Sequence, residues 1–387
     1  MAVRALLAGS AALGLLLSGC ADFPDERPGD WRDKPQLTPQ AAPDPRFPGD
    51  RGPGGSGGGD RHPAQPPSSI PPPQGCTDYH PAVVATCLDR VSAVAVLPSG
   101  QVAFVAERTT GRILRVEDDK DPVEVATIPV DAQGDGGLTG LALSPTYHED
   151  ELIYAYVTTP TDNRVVRLSP GDKPKPVLTG IPRGATGNRG ALALDRKGAL
   201  LVATGDAGNP AAAANPSSLA GKVLRINANG EPATGNPNPA SPVLAGGLHA
   251  PGGVCTTLDG SAIWVTDRAG ERDVLHRVQQ GVLTTPVWNW PDRPGVGGCA
   301  AWPDLVMVFL DNAAAVANVP LNQDGAVTGQ PELSMQDTFG RFSGADLSPN
   351  GQEVWVGTVN KAGGQPVSSD DRVIVIPRTS SSGGGRD

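Results

Sequence analysis

Residues 186–209 read TGNRGALALDRKGALLVATGDAGN. Two apolar runs of strand character, Ala191–Leu194 and Ala199–Thr204, flank a turn at Arg196-Lys197-Gly198. Small residues lead into the first run, and Gly205-Asp206-Ala207-Gly208 leads out of the second. A strand–turn–strand unit of this kind places the Asp206 loop at one rim of whatever the strands build.

Working outward, the same unit recurs. From about Ala82 onward, short Val/Ile/Leu/Ala-rich runs alternate with Gly, Asp-Gly and Pro turns, and no long amphipathic helix interrupts them. The small-residue first strands fall at Ala93–Leu97, Leu138–Leu143, Ala191–Leu194, Gly253–Thr257, Cys299–Trp302 and Gly344–Leu347. Their spacing of roughly 45 to 60 residues is that of propeller blades. A pair of packed sheets would not need six similar units, whereas six blades closed into a ring remove exposed sheet edges. The expected fold is therefore all-β, a six-bladed propeller of four-stranded blades. Fourth strands are expected at Val177–Leu178 in the second group and Leu283–Pro286 in the fourth. The third and fifth groups show only three runs. The sixth is one strand short, and Ala82–Ala85 is expected to complete it and latch the ring.

The N-terminal part has a different texture. Arg4 precedes an uncharged apolar run, Ala5–Leu17, too short to span a bilayer and of signal-peptide type. Leu17-Ser18-Gly19-Cys20 resembles a bacterial lipobox, which implies cleavage before Cys20 and lipidation of that residue. The organisation expected is a signal peptide at 1–19, a tether at 20–75, the propeller at 76–378 and a disordered tail at 379–387. The tether holds GPGGSGGG at 52–59 and a Pro-rich run at 66–73, and lacks the apolar periodicity needed to fold. As a flexible chain of about 55 residues it spans on the order of 40 Å. The expected location is the extracytoplasmic face of the cell membrane.

Of 387 residues, 50 are Gly and 40 Pro; both are denser in that tether than in the rest of the chain, so the excess describes a tail rather than the fold. The formal charge of −10 comes from interspersed acids and bases. No basic patch marks a nucleic-acid partner. With Cys20 assigned, an even set of four cysteines remains in an oxidising compartment, expected to pair as Cys76–Cys87 and Cys255–Cys299. No CxxC pair favours a metal site. His62, His80, His148 and His276 are scattered and form no metal set, and no serine lies in a nucleophile elbow.

Several segments together carry a family resemblance. They are Ala106-Glu107-Arg108 with Gly111-Arg112-Ile113, residues 137–145 (GLTGLALSP) with Leu152-Ile153-Tyr154, then Gly190–Gly208, Gly247–Asp267 and Trp288-Asn289-Trp290-Pro291. In this order they resemble the glucose/sorbosone dehydrogenase family over about residues 90 to 377. With the lipobox and tether, the whole chain is similar to a mycobacterial lipoprotein. The resemblance implies a six-bladed propeller that oxidises sugars with pyrroloquinoline quinone and calcium. In that chemistry a His base takes the hydroxyl proton, a carboxylate orients the His, arginines hold the anionic quinone and backbone oxygens hold calcium.

Carried over position by position, the resemblance places the orienting carboxylate on Asp206 and the His position on Gly187. The cofactor-binding Arg-Asn pair falls on His249-Ala250, and the calcium loop on Arg268-Ala269-Gly270, where an arginine would put positive charge beside the cation. Asp135 takes the place of a polar residue facing the sugar, and Trp288 that of a tyrosine. Asp206 also reads as a turn residue, and His249 as a plain donor or a relocated base. Arg189, Arg268 and Arg341 read equally as an anionic-ligand pocket or as ion-paired rim residues. Trp288 and Trp290 read as core beside Cys255–Cys299 more readily than as a sugar platform. The substitutions favour a propeller with weak or no dehydrogenase activity that binds a sugar or cell-wall glycan in the envelope. An active quinone-dependent enzyme with a moved base and a protein-interaction scaffold are the alternatives.

Overall fold

The structure, a computed structural model, describes residues 70–379. The signal peptide, Cys20, His62, the tether up to residue 69 and the tail beyond Thr379 lie outside the described residues. A short strand, β1 (Val83–Ala85), precedes the first blade. Blade one is β2 (Val91–Val96), β3 (Val102–Glu107), β4 (Arg112–Glu117) and β5 (Val123–Thr127). Blade two is β6 (Leu138–Leu143), β7 (Ile153–Thr158), β8 (Asn163–Leu168) and β9 (Lys175–Ile181), with a short helix α1 (Tyr147–Asp150) after its first strand. Blade three opens with β10 (Gly190–Leu194) and β11 (Leu200–Thr204), then helix α2 (Pro210–Ala214), β12 (Lys222–Ile226) and β13 (Val243–Gly246). Blade four follows with β14 (Pro251–Thr256), β15 (Ile263–Ala269) and β16 (Arg272–Arg277).

The chain then leaves blade four briefly. β17 (Gly281–Val282) pairs in parallel with β13 as a fifth strand of blade three, and β18 (Trp288–Trp290) returns to complete blade four. This corrects the expected fourth strand at Leu283–Pro286. Pro286 has no N–H to give to a ladder, and the pairing shifts to Trp288. Blade three likewise departs from the four-stranded expectation. Blade five is β19 (Val296–Ala301), β20 (Leu305–Leu310), β21 (Ala315–Pro320) and β22 (Glu332–Ser334). Blade six is β23 (Phe342–Leu347), β24 (Glu353–Thr358) and β25 (Val373–Pro377), completed by β1.

That last pairing is the expected latch. Val83 faces Ile374 and Ala85 faces Val373 in antiparallel register. The Cys76–Cys87 disulfide braces the segment, and Asp78 accepts hydrogen bonds from Ser369 Oγ at 2.8 Å and Arg372 Nη1 at 3.1 Å. His80 Nδ1 accepts the Ala82 N–H, and the His80 ring sits edge-on to Phe339.

Four of the six second strands, β3, β7, β11 and β20, are buried along their whole length. Each is covered on both faces by neighbouring blades, which is why it reads as an unbroken apolar run rather than an alternating one. The core accordingly divides into six clusters, one per blade junction. Tyr154, Tyr156, Leu192 and Val202 join blades two and three; Leu201, Val223, Val254 and Val265 join three and four. Cys255, Trp264, Trp290 and Val308 join four and five, and the second disulfide, Cys255–Cys299, crosses that junction. Trp288 packs against this cluster, in agreement with its reading as core.

Near the axis the inner strands meet almost backbone to backbone. A Cβ on Gly253 would stand 2.7 Å from Gly298 Cα, and one on Gly344 would stand 2.5 Å from Ala93 Cα. Neither neighbour can swing aside, because both are main-chain atoms. Gly344→Ala is therefore expected to cost about 1–3 kcal/mol in urea unfolding. Gly329→Ala, where the methyl meets only Pro320 Cγ at 3.8 Å, is the control and should stay within about 0.5 kcal/mol. Equal stabilities of the two variants would contradict the close-approach account.

Candidate functional site at the propeller rim

Strand register gathers the polar residues at one end of the ring. The first residues of the inner strands pair with the last residues of the second strands: Val91 with Glu107, Gly190 with Thr204, Pro251 with Asp267, Val296 with Leu310, Phe342 with Thr358. Blade-to-blade hydrogen bonds link the same end of each neighbour. Leu138 N–H donates to Arg108 O, Asp206 N–H to His249 O, and Arg90 N–H to Asp371 Oδ2.

Asp135 lies on this rim, but its carboxylate is occupied. It accepts the backbone N–H of Gly187 at 3.0 Å and of Asn188 at 3.1 Å, which pins the segment leading into blade three. Asn188 donates its Nδ2 to Gly184 O and is itself buried. Gly187 sits at φ +70°, and a Cβ there would meet Asp206 Oδ1 at 2.6 Å and Gly208 N at 2.7 Å. No side chain fits at this position in this backbone conformation.

Asp206 is 5% exposed. Its Oδ1 accepts the Gly208 N–H at 2.8 Å, an Asx-type turn contact, so the turn reading holds. Burial pushes its carboxyl above the usual range, and Asp267 and Asp135 add to the rise, while the Gly208 bond and His249 oppose it. His249 is half-exposed beside it. Asp267, fully buried, accepts the N–H groups of His249 at 3.0 Å and Ala250 at 2.7 Å and lies 3.6 Å from His249 Nδ1. Asp267 raises the imidazole above its ordinary value, first through the side-chain interaction, against the opposing effect of burial. Rim geometry thus brings a His beside a carboxylate, on blade four rather than blade three, although the 3.6 Å contact is an ion-pair approach and not a hydrogen bond.

Two of the three arginines are held. Arg268 donates to Val296 O at 3.0 Å and Gly295 O at 3.2 Å, and pairs with Asp311 at 3.2 Å. Arg341 pairs with the other Asp311 oxygen at 2.6 Å and donates to Ala362 O. Arg189 differs. The residue is half-buried, set back among the strand ends, and among the described residues its guanidinium makes no hydrogen bond and no ion pair. Desolvation lowers its pKa to about 10; Arg268 acts the same way, and Asp311 and Asp135 oppose both. A half-buried guanidinium without a protein partner attracts an anion.

A calcium ion does not fit the turn at Arg268-Ala269-Gly270. The turn closes a tight hairpin, Gly270 N–H already donates to Arg268 O, and the Arg268 guanidinium takes the nearby backbone oxygens of Gly295 and Val296. Among the described residues, no group of three or more His, Cys, Asp or Glu could hold a metal. Of the remaining histidines, His148 lies on α1 and His276, buried, on β16.

Sequence reasoning missed Asp267 and Asp311. The repeat carries their signal: Glu107, Asp206, Asp267 and Asp311 each fall at or near the end of a second strand. It also missed Lys222, 1% exposed, whose ammonium donates to the carbonyls of Ala212, Ala213 and Ala220 and ties α2 beside the rim.

The profile of the Glucose / Sorbosone dehydrogenase family matches residues 88–291, more than half of the chain. The chain belongs to the glucose/sorbosone dehydrogenase family. It is 22% identical over 321 residues to quinoprotein glucose dehydrogenase B of Acinetobacter calcoaceticus, covering 68% of this chain and 66% of that protein. The match thus spans slightly less than two thirds of the curated relative's length. Among solved structures of the family's fold, the PQQ-bound aldose sugar dehydrogenase of Streptomyces coelicolor is 29% identical with a TM-score of 0.69, covering 76% of this chain and 95% of that one. A putative glucose dehydrogenase of Thermus thermophilus is 28% identical with a TM-score of 0.70, covering 76% of this chain and 98% of that one.

The His249–Asp267 pair carries a prediction. Because the folded-state value is raised, the pair's contribution to stability is complete below about pH 6.5 and is lost as pH rises through the folded-state midpoint. An NMR titration of the His249 ring should show a midpoint above about 6.5 that falls in Asp267→Asn. A midpoint at or below that value in the unaltered protein would refute the pairing.

Proposed function

We propose that this family member is an extracytoplasmic lipoprotein whose propeller rim binds a polar ligand carrying an anionic group, an acidic sugar or cell-envelope glycan, with little or no dehydrogenase activity. The observation that carries the reading is Arg189, a half-buried guanidinium at the rim with no partner of its own among the described residues. Arg268 and Arg341, both engaged by Asp311, add positive field without competing for the ligand. A carboxylate binding Arg189 would gain charge-assisted hydrogen bonds in a low-dielectric setting.

Weak dehydrogenation follows from the base position. The resemblance assigns that position to Gly187, where no side chain fits, and Asp206 then lacks an imidazole to orient within its own blade. The cofactor is only half accommodated. An anionic quinone would meet Arg189, yet the Arg-Asn pair that the resemblance assigns to it is His249-Ala250 here, and calcium has no place at its turn. Membrane attachment rests on the lipobox at Cys20, and among the described residues no helix is long and apolar enough to cross a membrane.

A second reading rests on the His249–Asp267 contact. With a quinone bound as hydride acceptor, His249 would take the proton of a sugar hydroxyl while Asp267 holds the charged ring. It requires the base to act from blade four.

Calorimetry of the full chain with glucuronate and with glucose tests the primary reading. Glucuronate is expected to bind and glucose not, and Arg189→Gln should weaken glucuronate at least tenfold. Equal binding of the two sugars, or an unaffected Arg189→Gln variant, sinks the anion reading. In parallel, Cys20→Ala should move the protein from the membrane fraction to the soluble one; retention in membranes would disprove the anchor.

A further inference from the structure

The opposite mouth of the ring holds a second enclosed space. A cavity of about 280 Å³ lies among the C-terminal halves of the inner strands, and none of the rim residues lines it. Aliphatic side chains of Val96, Leu143, Leu194 and Leu347 stand around it, interspersed with polar groups such as Ser144 and Thr256, and the Cys255–Cys299 disulfide lies to one side. One carboxylate lines it: Asp346, on β23.

Asp346 Oδ2 accepts the Val96 N–H at 2.8 Å, where the free edge of β2 faces blade six. Among the described residues the carboxylate has no other side-chain partner and no ion pair. A neutral side chain would cap that N–H equally well, without the cost of partly burying a charge. Burial holds the carboxyl above its ordinary value. The cavity's other charged or titratable groups are exposed Arg196, whose charge acts on Asp346 against the effect of burial, exposed His148 and part-buried Tyr147, all on turn and helix segments outside the strands. A space of this size is smaller than the roughly 300–1,000 Å³ of drug-sized ligand sites, so its occupant is small.

We propose that this cavity binds a primary ammonium on a short aliphatic body, the ammonium donating to the free oxygen of Asp346 and the chain lying against the aliphatic strand ends. The charge meets its counter-charge at a part-buried carboxylate, and the aliphatic part is removed from solvent. The site is independent of the rim and of the function proposed for it.

Calorimetry of the full chain with n-hexylammonium, and with 1-hexanol as its neutral twin, tests the proposal. Hexylammonium is expected to bind at least tenfold more tightly than hexanol. Asp346→Asn, which keeps an acceptor for Val96 N–H, should lose at least tenfold in hexylammonium affinity while glucuronate binding at the rim is unchanged. Ala193→Phe, which fills the cavity without touching the carboxylate, should abolish binding. Absence of binding, equal affinity for hexanol, or a folded Asp346→Asn variant that binds as before would overturn the proposal. Should Asp346→Asn fail to fold, the comparison of hexylammonium with hexanol decides by itself.

Discussion

The close approach of the inner strands is the constraint on which the rest depends. Gly253 against Gly298, and Gly344 against Ala93, let main chains meet where no Cβ fits. Glycine gives up rotational entropy in such strands, and the six junction clusters of apolar side chains supply the compensating burial. Pairing of β1 with β25 joins the first described strand to the last and closes the ring. A ring held this tightly fixes where every loop at its rim must start.

On that rim, most charge is structural. Asp135 holds the backbone leading into blade three, Asp273 the backbone leading into blade five through Gly295 and Val296, and Asp371 that leading into blade one through Arg90. Asp311 holds two arginines at once. What remains available to a ligand is Arg189, the outer oxygen of Asp206 and the distal nitrogen of His249. On the function proposed here, this residue set attracts an anion more readily than it assembles a dehydrogenase. The fold is the family's; on the same proposal, the chemistry at individual rim positions differs.

Much of the fold was legible because it follows from local pattern. Strand–turn–strand units, their spacing and the latch at 83–85 all show as runs of apolar residues between turns. Some outer strands were not. Glu332–Ser334 is polar and mostly exposed, and Gly281–Val282 gains its partner from another blade, so neither carries a periodic signal. At the site, Asp206 and the held arginines were found in the sequence. The role of Asp135 was not, because its partners are backbone N–H groups 52 and 53 residues away. The isolation of Arg189 was equally hidden, since a missing partner is a property of three-dimensional neighbours.

The measurement that bears most directly on this account is sugar-dependent dye reduction by the full chain, with pyrroloquinoline quinone and calcium supplied. The Streptomyces coelicolor aldose sugar dehydrogenase would be assayed alongside. A missing general base alone costs about 10²–10⁴-fold, so the account predicts rates at least a hundredfold below that enzyme across a panel of aldoses. A rate within tenfold of it, abolished by His249→Gln, would contradict the account and establish a working dehydrogenase with its base on blade four.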